Sequence, residues 1–163
     1  MKIKRSKNPE TDEWGTPQWL FDVLNLEFDF TCDVAATDQN HKCTTWFTKE
    51  RCGLKNKWGI RNWCNPPYSK QLPWLVKGFE EMTYRERESV FLLKYDPSTE
   101  HGRVCVSTAD EIRIIQHRLK FEGASNCANF PSCIAIYRPR MFTKKTGAVI
   151  RYVDYRSLNE SKI

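Results

Sequence analysis

The run Ser89-Val-Phe-Leu-Leu-Lys-Tyr95 restricts the fold more than any other stretch, because Val90, Phe91, Leu92 and Leu93 follow one another with no polar interruption. Successive side chains of a strand point to opposite faces, so this strand must be covered on both. Helices on each side of a mainly parallel sheet provide that cover, and crossover helices join the strands of such a sheet. An α/β fold is therefore expected.

The flanking segments supply the other parts. Residues 60–64 read as a strand, stopped at Asn65-Pro66-Pro67-Tyr68 because proline has no N–H to give to a ladder. Leu72, Leu75, Val76 and Phe79 follow at helical spacing. Upstream, Thr16-Pro17 reads as a helix start, with the hydroxyl as cap and the proline in the first turn, and Trp19, Leu20, Val23 and Leu24 form the apolar stripe. From Leu26 the period changes to two: Leu26, Phe28, Phe30, Cys32 and Val34 alternate with Glu27, Asp29, Thr31 and Asp33, which predicts a strand over 26–34. Further strands are expected over 44–48, 111–115, near 119–121 and over 133–137. With 163 residues and no linker or repeat, the chain has room for one domain and not for a separate recognition domain. Residues 1–13 read as a basic arm, either resting on phosphates or solvated, 14–140 as the main domain, and 141–163 as an extension packed on it or trailing from it.

Charge narrows the partner. The 26 Lys+Arg against 20 Asp+Glu, a net of +6, favour a polyanion, because basic patches release counterions from phosphates; charge alone does not separate DNA from RNA or an anionic membrane. No apolar run reaches the ~20 residues of a membrane helix, and the basic N-terminus lacks the apolar core of a secretory signal, so a cytoplasmic protein with no membrane partner is expected. The seven cysteines include no C-x-x-C pair, and only His41 and Cys43 are close-set, so no metal is expected and the thiols read as free groups in a reducing compartment.

Asn65-Pro66-Pro67-Tyr68 is the stretch that speaks of chemistry. Its chance occurrence in a chain of this length is on the order of 10⁻³. It also stands just past the carboxyl end of a strand, where α/β sheets bind ligands. An exocyclic amine on a nucleobase has its lone pair delocalised into the ring. Two acceptors on its N–H groups favour a pyramidal nitrogen with the lone pair free to attack a methyl donor. Asn65 offers a side-chain oxygen and Pro66 a carbonyl, while the prolines, Pro67 included, stiffen the turn that carries both. Tyr68 offers a flat face to a base taken out of its stack.

This motif looks like that of S-adenosylmethionine-dependent amino-methyltransferases. Taken with Trp14-Gly-Thr-Pro-Gln-Trp-Leu-Phe21, Asp33-Val-Ala-Ala, Lys42-Cys43, Phe47-Thr48, Arg118-Leu-Lys-Phe121 and Phe130-Pro-Ser132, the chain resembles the phage-type DNA N6-adenine methyltransferases over residues 13–139. The resemblance implies a compact Rossmann-like class I methyltransferase sheet with helices on both faces. It also implies S-adenosylmethionine as methyl donor and transfer to N6 of a flipped-out adenine in double-stranded DNA. Trp14, Thr16 and Pro17 match a segment lying against the methionine end of the cofactor. Asp33 matches an acid able to accept from the cofactor's ammonium, and Ala35 with Ala36 stands where many methyltransferases have glycines. Glu50 matches by position an acid on the ribose hydroxyls, and equally an exposed charge in Lys49-Glu-Arg51.

For the duplex, the candidates are Lys70, Lys94 and the Arg113, Arg118 and Lys120 group, each equally readable as a solvated charge, with Asn126 and Asn129 as weaker readers of adenine edges. His101 and His117 have no evident relay. Two rivals stay open: an amino-methyltransferase acting on RNA or protein glutamine, and a non-enzymatic nucleic-acid-binding module. So little surface leaves few base contacts, so a short or relaxed target is expected; monomer and homodimer are both compatible with the sequence.

Overall fold

The computed structural model describes residues 12–139 and 147–160, so the basic arm lies outside the described residues except for Asp12 and Glu13. Seven strands form one sheet in the order β2-β1-β3-β4-β6-β5-β7. The strands β1 (Cys32–Asp33), β2 (Thr45–Trp46), β3 (Arg61–Cys64) and β4 (Glu88–Lys94) run parallel. β6 (Ser132–Tyr137) is antiparallel to both β4 and β5 (Glu111–Ile115), and β7 (Val149–Val153) pairs parallel with β5 at the edge.

Burial on both faces holds as the 89–95 run requires. Val90 and Leu92 join one core cluster with Leu20, Leu24 and Phe28 of helix α1 (Gln18–Phe28), whereas Phe91 and Leu93 join another with Leu75 and Met82 of helix α2 (Gln71–Arg85). Helix α4 (Tyr155–Glu160) packs beside α1, and α3 (Glu100–Thr108) beside α2, so each face carries two helices. This is a Rossmann-like α/β sheet with helices on both faces.

The strand expected over 26–34 is a correction. α1 continues to Phe28, Asp29 closes it in the left-handed region at φ 49°, and only Cys32–Asp33 pairs as strand. Leu20, Leu24 and Phe28 recur every fourth residue and are buried, and an established helix extends at one hydrogen bond per added residue. Leu26, the first residue of the alternation, is 71 % exposed on that helix. The cap is corrected too: Pro17 is the N-cap, its carbonyl accepting from Leu20 and Phe21 at 3.0 and 3.2 Å, and the Thr16 hydroxyl makes no cap bond. The 119–121 segment forms no ladder. Its burial alternates, with Leu119 and Phe121 inside, but the pairing is one residue on, a single antiparallel bridge between Gly15 and Glu122.

Candidate active site

The chain leaves β1 for β2 on one side of it, while β3 lies on the other. That reversal opens a crevice beyond the carboxyl ends of the strands. Asp33 ends β1 and Asn65 directly follows β3, so the two residues face a common cavity of about 180 Å³. Trp14, Gly15, Thr16, Ala35, Ala36, Phe47, Trp74 and Pro67 also line it.

Asp33 is 3 % exposed. Its carboxylate accepts backbone N–H groups from Lys42 at 3.0 Å and, more weakly, from Ala35 at 3.4 Å. Burial is the larger influence and pushes its pKa up to about 6 despite those bonds. Among the described residues no cationic side chain forms an ion pair with it; Lys42 Nζ is held instead by Gln18 and Glu122. A buried acid with backbone donors and no cation suits a ligand ammonium group.

The loop after β1 closes without glycine. The Asn40 side chain accepts from Thr37 N–H at 2.7 Å, and the Thr37 hydroxyl accepts from the N–H groups of Gln39 and Asn40. None of its residues has positive φ, so the methyl groups of Ala35 and Ala36 fit where glycine is common. The close backbone approach is made instead by Gly53, where a Cβ would overlap the Val34 carbonyl and crowd Trp74.

At Asn65 the orientation of the amide is decided by its neighbour. Its Nδ2 donates to the Trp14 carbonyl at 2.9 Å, and because a carbonyl only accepts, Oδ1 is left free as an acceptor. The Pro67 carbonyl accepts from Lys70 N–H at 3.0 Å, whereas no backbone N–H among the described residues reaches that of Pro66. Tyr68 stands nearly perpendicular to Phe121 and Phe130, with ring centroids 5.6 and 5.4 Å away. Trp14 stacks on Phe121 at 5.5 Å, completing an aromatic cluster beside the turn. Among the described residues the Tyr68 hydroxyl is buried without a partner, and burial holds it protonated.

Trp14, Thr16, Asp33, Ala35, Asn65 and Pro67 therefore share one cavity, while Pro17 and Pro66 are buried and do not line it. Glu50 is not brought into it: the side chain is exposed and accepts from the Thr48 hydroxyl at 2.7 Å, leaving Thr48 and Lys49 on the lining. Lys94 places its ammonium 5.3 Å from the Phe130 ring centroid, next to the aromatic cluster, and Lys70 is exposed just past the turn. Arg118 and Lys120 are exposed around a groove that they share with Trp19, Arg156 and Asn159. Arg113 is a correction: it is taken up by Glu27 at 2.6 Å and Glu111 at 2.8 Å and lies over Phe28, so it is not available to phosphates. Asn126 and Asn129 are exposed in the loop before β6. Sequence reasoning missed Asp12, Asn40 and Trp74, which carry no local motif and reach the site only by folding.

The cavity fits S-adenosylmethionine through the groups just described: the buried Asp33, which forms no ion pair among the described residues, the small Ala35 and Ala36, and the aromatic Phe47 and Trp74. Among the described residues no cluster of three or more His, Cys, Asp or Glu side chains could hold a metal, and no helix is long and apolar enough to cross a membrane. A mainly parallel sheet with a ligand crevice at its switch point is the framework of a Rossmann-like methyltransferase. The chain belongs to the DNA N-6-adenine-methyltransferase (Dam) family, whose model matches residues 4–161, and it is an enzyme that uses S-adenosylmethionine as methyl donor. Among its relatives, the DNA N-6-adenine-methyltransferase of Haemophilus phage HP1 is 30% identical over 151 residues, covering 86% of each chain. The enzyme of the same name from Escherichia phage T1 is 30% identical over 103 residues, which are 60% of this chain and 43% of that protein.

Proposed function

We propose that this chain methylates N6 of an adenine flipped out of double-stranded DNA, at a short or relaxed target sequence. The carrying observation is the Asn65 amide, turned by the Trp14 carbonyl so that Oδ1 is available to the adenine amino group. S-adenosylmethionine supplies an electrophilic methyl group. Asn65 Oδ1 and the Pro66 carbonyl accept the two amino protons and hold the nitrogen pyramidal. The Tyr68 ring, braced by Phe121 and Phe130, gives the extracted base a stacking face. Bound there, the cofactor would give up its methyl group to that nitrogen with loss of its carbon–sulfur bond, and the surplus proton would leave to solvent. No nucleophilic side chain is needed.

Arg118, Lys120 and Arg156, cations without an ion pair among the described residues, line the groove that takes the phosphate backbone. Lys120 directly precedes Phe121 of the aromatic cluster, which brings that backbone close to the base site. Lys94 and Lys70 extend the cationic surface toward the motif. The DNA substrate places the activity in the cytoplasm, that of a bacterial host for a phage-encoded chain. The test is labelled methyl transfer onto adenine-containing duplex DNA; label confined to RNA, protein or cytosine would refute the substrate assignment. Asn65→Ala is expected to lower turnover by a factor of about 10²–10³, the loss that follows removal of one transition-state hydrogen-bond partner, with cofactor affinity nearly unchanged.

A further inference from the structure

We infer that Asp12 is a positioning residue, latching the 12–16 segment along the cavity to the turn that carries Tyr68 and thereby coupling cofactor binding to the placement of the base site. The inference rests on the methyl-transfer reading of the same site. Asp12, Glu13, Trp14, Gly15 and Thr16 all line the cavity, so this segment forms one continuous wall of it. Its far end is pinned by two backbone bonds, Gly15 N–H to the Glu122 carbonyl at 3.1 Å and Glu122 N–H to the Gly15 carbonyl at 2.9 Å. Its near end is pinned by Asp12, whose carboxylate accepts the Ser69 N–H at 2.9 Å and the Ser69 hydroxyl at 2.5 Å.

Ser69 directly follows Tyr68, so the latch ties the cavity wall to the catalytic turn itself. Hydrogen bonds to a carboxylate are stronger than neutral ones and hold their geometry. The neighbouring Glu13–Lys49 pair at 2.5 Å is too solvated to replace it. Between the two pins lies Trp14. Stacking on Phe121 fixes its ring, and its carbonyl belongs to the same planar peptide unit as the Gly15 N–H held by Glu122, so the far pin sets the direction of the Asn65 amide. The near pin sets how closely the segment lies against the turn. With it gone, the start of the segment leaves the cavity wall and the turn loses its tie to that wall. The wall facing the cofactor and the turn facing the base are thus joined by one carboxylate.

The test measures S-adenosylmethionine binding by calorimetry, methyl-transfer kinetics on duplex DNA, and thermal unfolding, for wild type, Asp12→Ala and Asp12→Asn. Asp12→Ala is expected to weaken cofactor affinity about tenfold and to lower kcat at saturating cofactor about tenfold, as loss of a charge-assisted pair predicts. Asp12→Asn keeps an acceptor oxygen for the Ser69 N–H and is expected to recover most of both losses. Ser69→Ala, which removes the hydroxyl arm alone, is expected to move both quantities the same way by a smaller factor. If Asp12→Ala only lowers the unfolding temperature, with affinity and kcat per folded molecule unchanged, the latch is overturned while methyl transfer stands. Wild-type protein that binds no S-adenosylmethionine would overturn the latch together with the reading beneath it.

Discussion

In the proposed reaction Tyr68 and Asp33 divide the work of the site between shape and charge. Among the described residues the Tyr68 hydroxyl is buried with no hydrogen-bond partner, an arrangement that costs folding energy. Tyr68→Phe is therefore expected to retain most of its turnover and to be as stable as wild type or more stable by about 1 kcal/mol, whereas Tyr68→Ala loses the stacking face and most of its turnover; steady-state kinetics with thermal unfolding checks both. Asp33 makes a prediction in pH. Its folded pKa, raised to about 6, lies above its unfolded value, so the folded state binds the extra proton. The uncomplexed protein thus gains from this group at acid pH and loses that contribution as pH rises through about 6. A cationic ligand prefers the carboxylate, so cofactor affinity should rise over the same interval. Calorimetry between pH 5 and 8 is expected to show that rise in wild type and a flat profile in Asp33→Asn; a flat wild-type profile would remove Asp33 from the ammonium role.

Helix α2 shows what close packing demands of an element. Gly78 faces the sheet, and a methyl there would overlap the ring of Phe91 in β4. That ring is fully buried against Trp58 and Tyr137 and has nowhere to move. Alanine is the better helix former by about 1 kcal/mol, yet overpacking a core costs ~1–3 kcal/mol. Gly78→Ala is accordingly expected to lower the unfolding temperature by a few degrees, measured by calorimetry, without altering the site's chemistry. The same element scale explains where local patterns mislead. Residues 26–34 alternate as a strand does, but the fourfold recurrence of Leu20, Leu24 and Phe28 buries more apolar surface as helix, and β1 shrinks to Cys32–Asp33. α3, β7 and α4 carry weak periodicity and escaped the sequence reading; β7 is mostly exposed at the sheet edge and has little apolar alternation to display.

For the whole molecule, the net charge of +6 becomes useful only where it is unpaired. Arg113 is neutralised by Glu27 and Glu111, while Arg118, Lys120 and Arg156 stand around an open groove. Replacing any of these three by Ala is expected to reduce the slope of log affinity against log salt by about one, measured on duplex DNA across a salt series, whereas an Arg113 change should act on stability. The sequence by itself determined the α/β architecture and put a proline-stiffened, acceptor-bearing turn just past a strand end. The 89–95 run can be buried only between two helical layers, and Asn65-Pro66-Pro67-Tyr68 holds its two acceptors on one stiff turn, so both messages are local and survive without knowledge of the fold. The tertiary structure alone decided which way the Asn65 amide faces and which carboxylate latches the cavity. It also decided which arginine is free and that Glu50 stays outside. The first three of these are set by a partner distant in sequence: Trp14 for Asn65, Ser69 for Asp12, Glu27 for Arg113. A hydrogen bond or ion pair between distant residues leaves no period in the chain, because its energy depends on a distance that only folding defines.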